Sequence, residues 1–268
     1  MGATVNSRTR KGKGRPGWAV LAAAIVWVQT GAAAEQAVLS RHAGEDFNAA
    51  RARLQNHPAD ERAAWEFGSA CFDYAEFATN DTQRATLAIQ GIAAMRDLTA
   101  REPGLAAGHY YLAMNLGEMA RTKMLGALEI VDEMEREFKI AQVDDERWDF
   151  AGPARNLGEL YFRAPGWPVS IGSRHKAREW LEQAVKLAPD YPENRLNLVE
   201  SYWQWKDREA AGNELKTLDA LWPSAQTNFT GEAWERSWND WSTRREVARE
   251  KLKETRRAEK TAEKRPLN

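Results

Sequence analysis

The sequence has almost no cysteine. Its single thiol, Cys71, cannot form an intramolecular disulfide, so packing must stabilise the fold. Proline is also sparse, with 10 residues in a chain of 268. No segment after the first 34 residues alternates apolar and polar side chains as a half-exposed strand would. These absences exclude a disulfide scaffold and disfavour a β-sheet protein.

Signatures of catalysis and of metal binding are missing as well. The sequence contains no G-x-S-x-G elbow and no P-loop. Its four histidines, His42, His57, His109 and His175, are scattered, and none lies in an HExxH motif or beside a cysteine at ligand spacing. We expect His109 and His175 to be exposed or helix-capping residues. The sequence therefore predicts a protein that is not an enzyme and that uses neither a metal nor another cofactor.

The first 34 residues have the pattern of a secretory signal. They contain five basic side chains and no acid, followed by the apolar run WAVLAAAIVWV and by GAAA. The run is short for a membrane span, so we expect export with cleavage after Ala34, and an uncleaved anchor is the alternative. No cysteine at the end of the signal can accept a lipid. The prediction is a periplasmic or secreted protein that is not a lipoprotein.

Charge is divided unequally between the body of the chain and its end. Residues 35–242 carry 23 basic and 34 acidic side chains, whereas residues 243–268 carry ten basic and five acidic ones. An acidic body disfavours a nucleic-acid groove, because a phosphate-binding surface needs positive charge. In the tail, opposite charges recur three or four residues apart, which predicts a solvated helix. Its excess positive charge leaves peripheral contact with an anionic membrane as the alternative.

Apolar residues recur at helical spacing, and part of this pattern is repeated. Pro189 and Pro223 lie 34 residues apart, and two adjoining units obey one template of this length. A small residue lets two helices approach, large residues fill the groove between them, and proline ends the second helix. The template positions are held by Leu157, Gly158, Tyr161, Ala177, Leu181, Ala184, Leu198, Val199, Tyr202, Ala211, Leu215 and Leu218. Weaker matches upstream include Phe67, Gly68, Cys71, Gly91, Met95, Leu98, Leu112, Ala113 and Leu116.

These repeats predict an all-α, tetratricopeptide-like helical-repeat solenoid, an α-α superhelix with enlarged loops inside the repeats. One pair of helices cannot bury its apolar face, so several must stack. The predicted division of the chain is a signal peptide at 1–34, the repeat domain at 35–225, a capping helix at 226–243 and a charged, helical or disordered tail at 244–268.

Two aromatic features stand outside the template. Trp234, Trp238 and Trp241 are spaced by four and three, so they share one helical face that either caps the solenoid or docks a partner. The second feature is FRAPGWPVSIGSR, residues 162–174, which enlarges the turn inside one repeat by seven residues. Its Trp167 either packs over the helix ends or lines a ligand or partner surface.

One long run, from AGPARNLGELY to NRLNLVE with GHYYLAMNLGEMAR before it, resembles the tetratricopeptide-type periplasmic proteins of the TRAP transporter TatT component family. It resembles more loosely the helical-repeat regulators of microtubule dynamics. The resemblance covers residues 60–225, and its most specific part is G-P-x-R-x-L-G-x-L-Y with the enlarged loop. It implies an exported, non-enzymatic protein that assists a substrate-binding protein of a tripartite transporter. A general envelope scaffold and a carrier of a hydrophobic small molecule are the alternatives.

In such a stack, template positions five, nine and twelve of the first helices point into the concave face. The candidate binding residues on this face and in the loop are Tyr110, Met114, Arg155, Glu159, Phe162, Trp167, Glu200 and Trp203. Their aromatic and mixed-charge character suits a partner protein, such as a periplasmic substrate-binding protein, or a hydrophobic ligand. The same residues could instead pack between repeats, and a homo-oligomer is left open.

Overall fold

A computed structural model of the protein describes residues 18–123 and 126–263. Its helices are α1 (Trp18–Asn56), α2 (Glu61–Ala75), α3 (Asp81–Arg101), α4 (Ala106–Arg121), α5 (Ala127–Asp144), α6 (Trp148–Arg163), α7 (Arg174–Leu187), α8 (Pro192–Gln204), α9 (Arg208–Asn228) and α10 (Glu235–Glu263), with a short 3₁₀ turn at Glu232–Trp234. No β-strand forms in this described part of the chain.

The chain divides into two units at His42/Ala43, within α1. Met1–His42 form one unit and Ala43–Asn268 form a second, compact unit with its own hydrophobic core. Of the predicted signal, residues 1–17 lie outside the described residues. Among the helices of the described residues, none combines the length and the apolar character that a membrane span requires.

The compact unit is a stack of helix pairs. The pairs α2–α3, α4–α5, α6–α7 and α8–α9 pack closely, and α3–α4, α5–α6 and α7–α8 join each pair to the next. The first helices of the pairs also contact one another in the order α2, α4, α6, α8, α10. These contacts give the all-α helical-repeat solenoid that the template predicted, in which each repeat packs on its neighbours.

The template residues form the interiors of the pairs. Leu157, Ala177, Leu181 and Leu218 have no measurable exposure. Between α6 and α7, a Cβ on Gly158 would lie 2.6 Å from Leu181 Cγ, so only glycine permits this approach. The small residues of the sequence pattern therefore set how closely the paired helices meet.

The helix ends largely follow the local sequence signals. Asp60, Asn80, Ser173 and Asp207 each accept a hydrogen bond from a backbone N–H in the first turn of the following helix. Pro223 departs from the expectation, because it lies inside α9 rather than ending a helix. Its neighbours Trp222 and Ala225 are buried in the core, and this packing outweighs the cost of about 3 kcal/mol of a proline in a helix.

The C-terminal helix is part of the packed structure. The predicted boundaries at 225/226 and 243/244 fall inside α9 and α10. In α10, Ala248 and Leu252 are each 7% exposed, and Arg245 donates to Asp219 of α9 at 2.7 Å. This portion of the tail is not the solvated helix that its charge pattern suggested, because one of its faces packs on the last repeat. Residues 264–268 lie outside the described residues.

A side chain of the C-terminal helix contacts the end of the first helix pair's first helix. Arg236, at the start of α10, pairs with Glu76, which follows α2. Its guanidinium also lies 4.7 Å from the centre of the Phe77 ring. This contact joins residues that are 160 positions apart in the chain.

Candidate functional site

An open cavity of about 310 Å³ lies between α6, α8 and α10, and we call it the polar groove. It is lined by Arg155, Asn156, Glu159, Arg163, Glu193, Asn197, Glu200, Asp240 and Arg244. All nine side chains are polar or charged, so the groove is suited to hydrogen-bonding and charged groups rather than to an apolar ligand.

Arg244 of α10 forms hydrogen bonds with three other residues of the polar groove. Its Nε donates to Glu200 Oε1 at 2.8 Å, its Nη2 donates to Glu200 Oε2 at 3.0 Å, and its Nη1 donates to Asp240 Oδ2 at 3.1 Å. A further hydrogen bond from Nη2 reaches Asn197 Oδ1. Burial opposes the charge, but the Glu200 carboxylate outweighs burial and raises the pKa of Arg244 above its ordinary value. The bidentate pair therefore ties α10 to α8.

Glu159 of α6 lies in the same groove, and its pKa is shifted toward the uncharged form. Burial raises the pKa of Glu159, although the positive charges of Arg163 and Arg244 oppose this effect. Arg163 Nε donates to Glu159 Oε2 at 2.6 Å, and the Arg163 side chain is itself 71% exposed. A partner's cationic group that replaced Arg163 would find a carboxylate already positioned at the groove.

The floor of the groove is a buried ionic cluster around Arg155. This side chain is 4% exposed, and its Nη2 donates to Asp149 Oδ2 at 2.6 Å. Its Nη1 lies 3.1 Å from the Asp149 carbonyl, 3.2 Å from the Phe150 carbonyl and 3.2 Å from Asn194 Oδ1. Burial disfavours the cation, but the Asp149 charge prevails, and the pKa of Arg155 is well above its ordinary value. The Arg155 guanidinium therefore donates its hydrogen bonds to groups of the protein itself.

These bonds hold an unusual turn at the start of α6. Asp149, Phe150 and Ala151 have φ values of 48°, 55° and 65°, which is the left-handed region. Each such residue without glycine's freedom costs about 1–2 kcal/mol. Asn194 of α8 adds a donor to the Phe150 carbonyl at 3.0 Å. The turn therefore persists because Arg155 and Asn194 satisfy its carbonyls.

A second, smaller cavity of about 140 Å³ lies between α8 and α10. It is lined by Val199, Glu200, Trp203, Gln204, Arg244, Val247, Ala248, Lys251 and Leu252. The Arg208 guanidinium lies 3.6 Å from the centre of the Trp203 ring, which leaves this ring partly covered. Sites for drug-sized molecules usually measure about 300–1,000 Å³, so this cavity is too small for such a molecule.

The structure separates the predicted site residues into groups. Arg155, Glu159 and Glu200 lie together in the polar groove, and Glu200 and Trp203 line the smaller cavity. Met114 and Phe162 are half-buried against the core of the middle repeats.

Of the two alternatives for Tyr110, a concave-face position and packing between repeats, the structure shows packing. Tyr110 is 2% exposed, and its hydroxyl donates to Asp149 Oδ2 at 2.6 Å. The left-handed turn at the start of α6 brings Asp149 against the tyrosine hydroxyl, and the ring is buried. Tyr110 is therefore a core residue.

Trp167, in contrast to Tyr110, is almost wholly exposed. Its side chain is 89% exposed, so the alternative in which it packs over the helix ends is wrong. The enlarged loop itself occupies residues 164–173, between α6 and α7, as the proline and glycine pattern predicted. His175, just beyond the loop, is exposed as expected.

His109, in contrast, is buried. It is 7% exposed, its Nδ1 lies 2.6 Å from Glu137 Oε2, and its Nε2 lies 3.0 Å from the Pro103 carbonyl. Both partners are acceptors, so the ring donates from both nitrogens as an imidazolium. The hydrogen bond to Glu137 raises the pKa of His109 against the effect of burial. It is a core ion-pair residue.

Sequence reasoning missed six of the nine residues that line the polar groove: Asn156, Arg163, Glu193, Asn197, Asp240 and Arg244. The two asparagines lie 41 residues apart at the same template position, and this repetition is a signal that could have identified them. Arg244 gave no comparable signal, because its partners Asn197 and Glu200 are on another repeat and its own segment is rich in charge.

Comparison with known proteins supports the fold. No protein-family description and no curated protein sequence matches the chain. The chain is similar in structure to a thermophilic TPR protein from Thermus thermophilus, with a TM-score of 0.57 and 18% sequence identity over 75% of this chain and 88% of that one. At this identity the likeness shows the fold alone. Together with the helix pairing, it identifies an all-α, tetratricopeptide-like solenoid.

Proposed function

We propose that the protein is an exported, non-enzymatic binding module that holds a segment of a partner protein in the polar groove. The observation that carries this proposal is the open cavity of about 310 Å³ whose lining consists of polar and charged side chains. Helical-repeat proteins use extended surfaces of this kind for binding. Glu159 and Glu200, which are both partly exposed, offer carboxylates to a partner there.

The specific role that we propose is that of a periplasmic accessory of a TRAP-type tripartite transporter, which docks the substrate-binding protein. Two features of the sequence support this role. One is the secretory pattern of residues 1–34. The other is that residues 152–161, GPARNLGELY, together with the loop that follows them, resemble the TatT component family. A general envelope scaffold would use the same groove for another protein.

The structure favours a protein partner over a hydrophobic small molecule. The larger cavity is polar, and the more apolar one, beside Trp203, measures about 140 Å³. A lipid tail or a comparable ligand needs a larger apolar volume. The polar groove is also open to solvent, so a partner's side chain can enter it from the surface.

The test is capture of partners from the envelope by tagged protein, followed by binding to the purified partner. Glu159→Lys reverses the charge inside the groove, and Glu179→Lys makes the same change on α7, where the Glu179 side chain is 62% exposed. We expect Glu159→Lys to weaken partner binding at least about tenfold, which is the loss of one charge-assisted contact. Glu179→Lys should bind like the unaltered protein.

The identity of the partner decides between the two roles. A substrate-binding protein whose binding depends on Glu159 supports the transporter accessory, and a different envelope protein with the same dependence supports the general scaffold. Equal binding by both charge variants, with both folded, would refute the assignment of the groove. Thermal unfolding of Glu159→Lys must be measured beside the binding, since Arg163 and Arg244 both face this carboxylate.

A further inference from the structure

The loop between α6 and α7 exposes an unusual amount of apolar surface. Residues 165–169, with the sequence PGWPV, are all exposed, and within them Trp167 is 89% and Val169 58% exposed. Tryptophan is among the most buried residue types on average, so a ring that is almost wholly in solvent is an informative feature. We call residues 164–173 the Trp167 loop.

The Trp167 loop is held in shape by its own hydrogen bonds. Gly172 N donates to the Pro165 carbonyl at 2.9 Å, and Val169 N donates to the Gly166 carbonyl at 3.0 Å. A Cβ on Gly172 would lie 2.1 Å from the Ala164 carbonyl oxygen, so the two sides of the loop meet closely. At its far end, Ser173 N donates to the Tyr161 carbonyl at 2.9 Å. The loop thus presents its tip on a fixed base.

The surroundings of the loop are basic. Between Glu159, which pairs with Arg163, and Glu179, the chain contains the four cations Arg163, Arg174, Lys176 and Arg178. The first three of these are exposed. At the opposite end of α6, the connection from α5 carries three consecutive acids at 144–146. Arg163 and Arg178 pair with Glu159 and Asp207, so the positive charge beside the exposed tryptophan comes mainly from Arg174 and Lys176.

We propose that the Trp167 loop is a contact site for an anionic lipid surface. Tryptophan prefers the membrane–water interface, where its ring reaches the acyl boundary and its N–H stays hydrated. Nearby Arg and Lys side chains are attracted to anionic headgroups. The acidic end of α6 is directed away from the membrane in this orientation.

A lipid surface fits these observations better than a protein partner does. Protein hot spots are ringed by further contacts that exclude water, whereas residues 165–169 and the basic residues Arg163, Arg174 and Lys176 are all exposed. One aromatic anchor with a few basic residues gives weak, reversible attachment to membranes. Residues 164–173 are not among those that line the polar groove, although the adjacent Arg163 is.

The experiment is vesicle flotation with the predicted mature chain, residues 35–268, which contains all of the compact unit. One set of vesicles contains phosphatidylglycerol mixed with phosphatidylcholine, and the other contains phosphatidylcholine alone. We expect binding to the anionic vesicles only, with loss at high salt. Trp167→Ala should weaken this binding by roughly tenfold, since it removes the inserted aromatic surface. Its melting temperature should not change, because the side chain is almost wholly in solvent.

The charge contribution has a matched control. Arg174→Gln with Lys176→Gln should weaken vesicle binding by about 25-fold, at about fivefold for each cation near the surface. Lys186→Gln with Lys216→Gln removes the same charge from exposed positions on α7 and α9 and should have little effect. Equal loss in the two double variants, or no effect of Trp167→Ala, would overturn the proposal, because binding would then depend on net charge or on the tail.

A third outcome would assign the loop to a protein instead. Trp167→Ala would then abolish binding of a purified partner in solution and leave flotation unchanged. The proposed function is tested separately, because Glu159→Lys in the groove should reduce partner binding and leave flotation at the level of the unaltered protein.

Discussion

Replacement of Arg155 by methionine tests whether this residue supports the fold or binds a ligand. The substitution keeps a long apolar stem and removes the guanidinium from a site that is 4% exposed. The Asp149 carboxylate would lose its cation, and Asn194 Oδ1 would lose a donor. The Phe150 carbonyl would keep only the Asn194 donor at 3.0 Å.

The expected loss is large. Breaking a fully buried ion pair by removal of one partner costs about 3–5 kcal/mol, and because the Asp149 carboxylate is 34% exposed, the lower end of this range applies here. We expect Arg155→Met to lower the free energy of unfolding by about this amount, measured by urea denaturation with circular dichroism. The control is Arg163→Met, which breaks an ion pair whose arginine is 71% exposed and should cost less than about 1 kcal/mol.

A loss below about 1 kcal/mol in Arg155→Met would refute this reasoning. It would mean that the left-handed turn at 149–151 does not depend on the guanidinium. Arg155 would then be free to serve as a ligand contact in the polar groove. A large loss, with the Arg163 variant nearly unaffected, would place Arg155 in the structural framework of the groove.

Two further predictions concern other parts of the core. The free energy of unfolding should fall as pH rises from 6.5 through the raised pKa of His109, because the folded imidazolium loses its charge there. The pKa of its partner Glu137 is lowered from 4.5, so stability should also fall in acid, where this carboxylate takes up a proton. His109→Gln should abolish the alkaline decline in the urea midpoint, and an unchanged decline would show that another group causes it. Gly158→Ala should destabilise the protein by about 1–3 kcal/mol, since the new Cβ would lie 2.6 Å from Leu181 Cγ. A thermal unfolding curve that matches the parent protein would show that α6 and α7 can separate without cost.

The fold could be predicted from the sequence wherever its rules are local or periodic. Leu157, Ala177 and Leu181 occupy template positions, and all three are buried at the contact between paired helices. The enlarged loop was visible because prolines and glycines interrupt a helical pattern. Pro223 shows the limit of this reasoning, because a local signal for a helix end was overruled by packing of the residues around it.

The site was less accessible to prediction, because its geometry depends on distant residues. Tyr110 holds a template position that faces the concave surface in a regular stack, but the left-handed turn brings Asp149 onto it. The spacing of apolar residues does not reveal such a turn. Arg244 belongs to a segment whose alternating charges indicate solvent exposure, and its partner Glu200 lies 44 residues away. Only the folded chain shows that they meet.

The contact between Arg236 and Glu76 changes how this repeat array should unfold. In an open array each repeat touches only its neighbours, so the terminal repeats fray first and largely independently. Here the start of the last helix also contacts the end of α2, so fraying at one end removes a contact from the other. Local opening at the two ends is thereby coupled. The array gains a cooperativity that its helix-pair architecture does not provide.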